Sequence, residues 1–454
     1  MDFDKSPYFL YNASMLNFAG LLKLQHTYMM KKTISTFIRY VFLMMLTGIG
    51  IITVPQLYAQ TNAAQNSRTD KLAKEMLYKK QAAGITILLI KNGKAVYNKA
   101  FGYADVEKKI ALRTDHIFRI ASQTKAVTSL AALMLWEEGK FLLDDPVSKY
   151  IPEFKHIQVL DRFNPADSSY TALPMEREIT VRDLFRHTSG IAYPVFSGNP
   201  VINAIHAKAG IASGIGSKGS LKDKIDLLAK QPLVHQPGTA FTYGLNDDVL
   251  GYLIEIWSGL PLDKFFQTRI FDPLEMKDTY FHLPKEKAGR LVALSVKDKE
   301  GNFRNVNSSI YEGNDHNYPL ADHIYLSGGA GLVSTTYDYG KFLSLFLTNG
   351  YARGKRLIGS KTLELMLTNQ LSVGIKRPAA LQFGLGVALV TSENKFMQSP
   401  GIGSFYWGGI FNTHYWVDKK ENIIGLVYTQ EYDAYSEDIG HLFKNVIYST
   451  LDNK

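Results

Sequence analysis

The sequence predicts an α+β fold: an antiparallel β-sheet flanked by helices, built from both chain ends, with a mostly helical subdomain inserted between. Two observations carry this expectation. Strand-like runs lie between Ile85 and Tyr103 and again between Gly384 and Thr429. Segments with helical spacing fill the middle and close the chain.

The elements follow in order. ITILLIK (Ile85 to Lys91) is β-rich, Asn92-Gly93 follows, and KAVYNKAFGY (Lys94 to Tyr103) is β-rich again. Asn-Gly between two such runs is a strong hairpin signal. Phe118 to Ala121 leads into Ser122-Gln123-Thr124-Lys125 and a helix in which Val127, Leu130, Leu133, Met134 and Leu135 recur at helical spacing, with Gly139 as its stop. Thr180 to Arg186 is a short helix with Thr180 as N-cap and Asp183 at its third position. Pro237-Gly238 is a turn, Asp247 to Trp257 an amphipathic helix, Ser327-Gly328-Gly329 a loop, and Thr336 to Leu347 a further helix. Gly384 to Val390, Phe405 to Phe411, Tyr415 to Val417 and Ile423 to Thr429 read as strands, and Asp438 to Leu451 as the final helix. The Gly- and Ser-rich stretch 193–222 reads as a lid or irregular loop.

Composition sets the limits. The chain has 454 residues, 46% apolar and 20% charged, enough for a large core and incompatible with wholesale disorder. Cysteine is absent, which excludes disulfides, thiolate metal sites and a cysteine nucleophile. The net charge of +9 includes five basic and two acidic residues before Gln60, and no basic cluster exceeds a pair such as Lys419-Lys420. That pattern is a solvated surface, with no nucleic-acid footprint.

The front of the chain reads as an address. Lys31, Lys32 and Arg39 precede an apolar run from Val41 to Val54, too short to span a bilayer. Pro55 and Ala59 complete a secretory signal peptide over 29–59, cut near Ala59-Gln60. Residues 1–28 are an upstream extension before the true start at Met29 or Met30, and 60–72 a flexible leader. The remaining domain, 73–454, has an α/β part at about 73–130 and 326–454 and a helical part at about 131–325. The expected product is exported, periplasmic or extracellular. It has no stable membrane anchor after signal cleavage and is a monomer or weak dimer.

Three motifs carry chemistry. S-x-x-K occurs as Ser122–Lys125 and as Ser392–Lys395, the latter within a polar, loop-like TSENK. Only the first opens a helix after a strand. There, i and i+3 share a face, and the helix start offers free N–H groups and a positive dipole end. That suits a serine nucleophile; it equally suits an N-cap serine beside a solvated lysine. Tyr243, between a tight turn and a helix, reads by itself as a packed aromatic. Tyr406-Trp407-Gly408-Gly409-Ile410 puts glycines inside a strand, a sign of close approach by a substrate or by another strand.

In this order the three motifs resemble the serine β-lactamase and penicillin-recognising enzyme superfamily, from about Gly84 to Leu451. Arg186-His187-Thr188-Ser189-Gly190-Ile191 and Ser327-Gly328-Gly329-Ala330-Gly331-Leu332-Val333-Ser334 look like signature segments of its class C-like branch. The resemblance implies a β-lactamase/DD-peptidase-like fold. It makes Ser122 the acylated nucleophile, with Lys125 and Tyr243 managing its proton. It places the oxyanion between the backbone N–H groups of Ser122 and Ile410. Trp407, Gly408 and Gly409 stand where the family has K-T-G, and Leu245 where it has the asparagine of Y-x-N. Both departures remove groups suited to a charged peptide-like substrate. Together with W-G-G they resemble the family VIII carboxylesterases, whose substrates are short-chain esters. The expected partner is a small-molecule ester or amide, and no metal or organic cofactor is required. A β-lactamase or D-alanyl-D-alanine peptidase is the alternative, and a non-catalytic ligand-binding member the second. Lysine and tyrosine both have reference pKa values near 10, so the pair shares its proton as a unit. His414 has no role in this reading.

Overall fold

The computed structural model describes residues 53–450 apart from 197, 323, 324, 379 and 398, with side chains from 66 onward. Two compact units divide the chain, 1–64 and 65–454, and the second holds the sheet and its helices. Most of the expected signal peptide lies outside the described residues.

The first element among the described residues is helix α1 (Thr53–Tyr78). The expected flexible leader at 60–72 is therefore helical. Leu72, Ala73 and Met76 share one helical face and pack against Ile85, Ile87 and Trp416 of the sheet, which is why this stretch is ordered. Strands β1 (Gly84–Lys91) and β2 (Lys94–Asp105) form the predicted hairpin, with Asn92 and Gly93 at φ of 51° and 73° in its turn. Short strands β3 (Ile110–Ala111) and β4 (Phe118–Arg119) lead to helix α2 (Thr124–Glu137).

The middle of the chain holds a hairpin of β5 (Gln158–Asn164) and β6 (Ser169–Pro174), then helices α3 (Val181–Phe185), α4 (Pro200–Ala209), α5 (Leu221–Leu228), α6 (Asn246–Ser258) and α7 (Leu262–Phe266). Strands β7 (Ser295–Lys297) and β8 (Phe303–Asn305) make a second hairpin. Both hairpins fall in the region expected to be mostly helical. The capping box on α3 is present, Thr180 and Asp183 bonding each other's backbone. The stretch 193–222 is not uniformly irregular. Asn199 caps α4, Pro200 occupies its first turn and Gly210 ends it in the left-handed region, three signals legible in the sequence.

The return to the sheet runs through β9 (Val333–Ser334), α8 (Thr336–Leu347), the hairpin β10 (Tyr351–Ala352) and β11 (Lys355–Arg356), and α9 (Ser360–Met366). Then come β12 (Ala388–Leu389), β13 (Phe405–Gly409), β14 (Thr413–Asp418), β15 (Ile423–Tyr428) and α10 (Glu437–Tyr448). Of the strand expected at Gly384 to Val390, only Ala388–Leu389 pairs; Gly386, at φ 90°, breaks the run.

The seven strands lie in the order β12-β13-β14-β15-β1-β2-β3, antiparallel throughout. β1 pairs with β15, so the two chain ends meet in the sheet centre. β1 is buried on both faces. Ile85, Ile87 and Leu89 face α1 and α10, while Leu88 and Ile90 face the main core with α2 and α8. Each such side chain contributes about 1.5–3 kcal/mol. Gly340 lets α8 lie close on β1: a Cβ there would sit 3.0 Å from the side-chain methyls of both Leu88 and Ile90. α2 is buried from Thr124 to Leu135 and forms the axis of the molecule, with Ser122 at its N-terminal end.

Candidate active site

Ser122 occupies a single 3₁₀ turn, Ala121–Gln123, between β4 and α2, rather than the α-helix itself. Ala121 holds φ at 43°, a left-handed conformation that costs a non-glycine residue about 1–3 kcal/mol. Pairing of β4 with β9 and the bond from Ile120 N–H to Leu332 O clamp this turn against the 327–334 loop.

Lys125 is fully buried one turn on. Its ammonium donates to Ser122 Oγ at 3.2 Å, Tyr193 Oη at 2.8 Å and the carbonyl of Gly329 at 2.7 Å. It also lies 4.7 Å from the ring centroid of Tyr243 and 5.2 Å from that of Tyr193. Burial works against its charge. The oxygens of Tyr193 and Tyr243 and the Asp247 carboxylate outweigh burial and hold its pKa above the ordinary lysine value. Burial pushes the Tyr193 hydroxyl well above its usual range, partly offset by Lys125. The resting site is thus an ammonium with its three N–H donors occupied, one of them on the serine oxygen.

Tyr243 lies beside this pair, its hydroxyl accepting from Trp407 Nε1 at 3.4 Å. Its ring packs on Trp407, Tyr193 and His187. Gly244 is required: a Cβ there would lie 2.1 Å from the carbonyl of Ile191. Gly329 is required as well, since a Cβ would fall among Asp248 Oδ2, Tyr193 Oη and Lys125 Nζ, at 2.6, 3.0 and 3.4 Å. Behind these groups Asp248 accepts from Ser327 Oγ and Tyr325 Oη, at 2.6 and 3.0 Å. His187 sits 3.4 Å from Asp247. Burial and the Lys125 charge push the His187 pKa well below normal, so it is neutral.

The strand β13 forms the opposite wall. A Cβ on Gly409 would lie 2.3 Å from the carbonyl of Ile120, so this glycine lets the strand meet the Ser122 turn directly. Ser122, Tyr243, Trp407, Gly408, Gly409 and Ile410 all line one cavity of about 260 Å³. Tyr193, Phe196, Ser213 and Ile215 line it too and come from the 193–222 stretch.

One expectation needs correction, and one residue was not foreseen. Leu245 is not a lining residue of this cavity; it is 3% exposed and belongs to the core beneath. Helix α6 starts at Asn246, and its first turn rotates Leu245 inward, while Asn246 bonds His187 and Ser189 rather than facing substrate. Tyr193 was missed. Nothing in its local sequence separates it from a core aromatic; only its position just after His187–Ile191 could have drawn attention. The second S-x-x-K lies in a turn outside the cavity, with Ser392 exposed.

A strained serine turn, a buried lysine on its oxygen and a glycine-edged strand opposite together define an acyl-transfer site of the penicillin-recognising type. The chain belongs to the beta-lactamase family, whose model matches residues 69–441. It is 31% identical over 368 residues to Protein Rv1367c of Mycobacterium tuberculosis, covering 78% of this chain and 88% of that one. It is 25% identical to Esterase EstB of Burkholderia gladioli over 87% of this chain and 98% of the esterase. Among solved structures, simvastatin synthase (LovD) from Aspergillus terreus superposes with a TM-score of 0.71 at 25% identity, covering 85% of this chain and 98% of that one.

Proposed function

We propose that the protein is a serine hydrolase and acyltransferase acting on carboxylic esters through an acyl-enzyme on Ser122. The observation that carries this reading is the 3.2 Å contact from the buried Lys125 ammonium to Ser122 Oγ, in a cavity walled by aromatic side chains. Ser122 Oγ attacks the ester carbonyl as its proton passes to Tyr243 Oη, which acts in its phenolate form; the Lys125 ammonium beside the ring stabilises that negative charge until the proton arrives. The tetrahedral oxyanion is held by the N–H groups of Ser122 and Ile410, each worth about 3–4 kcal/mol in comparable sites. The C–O bond breaks, and the leaving alkoxide takes the proton from Tyr243. Water, or an alcohol in the transferase direction, then displaces the acyl group by the reverse path. Esterase EstB and simvastatin synthase support ester chemistry on this scaffold. Trp407 in the K-T-G position argues against a peptidase or β-lactamase, because no ammonium stands there to meet a substrate carboxylate.

The test is covalent. Chain from Gln60 onward is incubated with a fluorophosphonate and with penicillin G, and intact mass and labelled peptide are read. 4-Nitrophenyl butyrate and a chromogenic cephalosporin are assayed alongside. Fluorophosphonate on Ser122 with fast ester turnover and little β-lactam reaction supports the esterase reading. Stable or turning-over penicilloyl on Ser122 moves the assignment to the peptidase or lactamase class. No label leaves a non-catalytic binder. We also propose export, on the strength of the 29–59 signal pattern; a mature N-terminus at Gln60 in the exported fraction is the expected result.

A further inference from the structure

The cavity at Ser122 does not end at Trp407. It continues over the edge of β13 to the opposite face of the sheet, where Lys444 of α10 lines it. Glycines and the Tyr435 ring border the passage. The edge is Gly408-Gly409, and a Cβ on Gly408 would lie 2.9 Å from Tyr435 Oη. On α10 itself Gly440 faces the His414 ring, 3.0 Å from where a Cβ would be.

Lys444 is 4% exposed. Among the described residues no carboxylate lies within ion-pair distance of its ammonium and no hydrogen bond reaches it. It rests instead over the rings of Tyr406 and Trp416, at 4.5 and 5.9 Å. The nearby carboxylate, Glu437, is occupied by His441 at 3.6 Å. His414 also faces this lobe; burial and the Lys444 charge lower its pKa to about 3, so it adds no positive charge. Burial lowers the Lys444 pKa to about 8, which leaves the group mostly charged at neutral pH. An ammonium on a largely buried side chain, held by two rings and with no carboxylate in contact, is costly to a fold, and methionine would fill most of the same space without that cost. Its presence at the far end of the substrate cavity calls for an anionic partner.

We infer that Lys444 forms an anion subsite of the Ser122 cavity, recognising a carboxylate at the far end of the acyl chain of the ester. This rests on the hydrolase reading above and adds the substrate class. A monoanion fits better than a phosphate dianion, because there is one ammonium and Glu437 stands beside it.

The experiment compares mono-4-nitrophenyl adipate and suberate with 4-nitrophenyl hexanoate and octanoate, for the wild type, Lys444→Met and Lys444→Gln. Two variants are read so that a folding defect in one does not decide the result. Either substitution should lower kcat/KM for the anionic esters at least tenfold, mainly through KM, and leave the neutral esters within about twofold. Adipate binding to Ser122→Ala protein, by calorimetry, should vanish when Lys444→Met is added. If the ratio of anionic to neutral rates is the same in all three proteins, the subsite is wrong and the hydrolase reading stands. If the wild type turns over no ester yet adipate binding depends on Lys444, the hydrolase reading is wrong and the subsite stands.

Discussion

Lys125 Nζ donates to Tyr193 Oη at 2.8 Å, a shorter contact than the 3.2 Å bond it makes to Ser122 Oγ. The lysine is thereby held as a donor, with Gly329 O as its third acceptor. A lysine in this state cannot itself accept the serine proton. In the mechanism proposed above that task falls to the Tyr243 oxygen, and Lys125 acts by its charge.

Lys125→Ala and Tyr243→Phe should each lower kcat for 4-nitrophenyl butyrate by two or more orders of magnitude, the scale of lost acid–base assistance. Circular dichroism melts should remain cooperative. Ser392→Ala should leave kcat unchanged; an inactive Ser392→Ala protein would make the second S-x-x-K the reactive one.

Tyr193→Phe keeps the ring against Tyr243 and Phe196 but removes one acceptor from a buried ammonium. Hydrogen bonds to charged groups are worth about 1.5–3 kcal/mol. Turnover should fall roughly ten- to a hundredfold with KM little changed, read by single-turnover acylation. An unaltered acylation rate would make Tyr193 a packing residue only.

Gly409→Ala places a methyl 2.3 Å from Ile120 O and 2.5 Å from Thr413 Oγ1, both on well-packed elements. The strand must move away from the Ser122 turn, separating the two oxyanion donors. Acylation should slow at least tenfold, and stability should drop by about 1–3 kcal/mol. A thermal melt and fluorophosphonate labelling rate measure both.

Trp407→Lys removes the indole that packs on Tyr243 and Phe383 and restores an ammonium at the K-T-G position. Ester turnover should fall and penicillin acylation should rise. If intact mass shows neither change, β13 does not contact the substrate.

Asp183 tests the fold rather than the chemistry. It is fully buried and bonds Arg177, Arg186, Thr180 and Thr188. Burial would raise its pKa, but Arg177 and the other donors lower it to about 2. Because the folded value lies below the unfolded one, this stabilisation is complete above pH 4 and is lost as pH falls toward 2. Asp183→Asn should cost roughly 3 kcal/mol in urea at pH 7, and the gap should close near pH 2.

Much of this was legible in the chain. The β1–β2 hairpin followed from Asn92-Gly93, and α3 from the Thr180/Asp183 pair, because both are local backbone requirements. Ser122, Lys125, Tyr243 and Trp407-Gly408-Gly409 were readable because they sit in short motifs of fixed spacing. Leu245 was misread because a residue's face depends on where its helix begins, and α6 begins at Asn246, one residue earlier than expected, which makes Leu245 its N-cap. The helical state of 60–72 was not legible because its polar composition carries no apolar stripe; the residues that pack on the sheet, Ala73 and Met76, lie just beyond it.

The sequence by itself determined the meeting of strands from both chain ends and the main helices, and it offered the serine, lysine and tyrosine set as candidates. Tertiary structure alone decided which groups converge. Tyr193 lies 68 positions from Lys125, and Lys444 lies 322 positions from Ser122, yet both line or touch the same cavity. Local spacing dictates hydrogen bonds along a helix or hairpin. It carries no information about which distant side chains a closed sheet brings face to face, because burial of unrelated surfaces selects that arrangement.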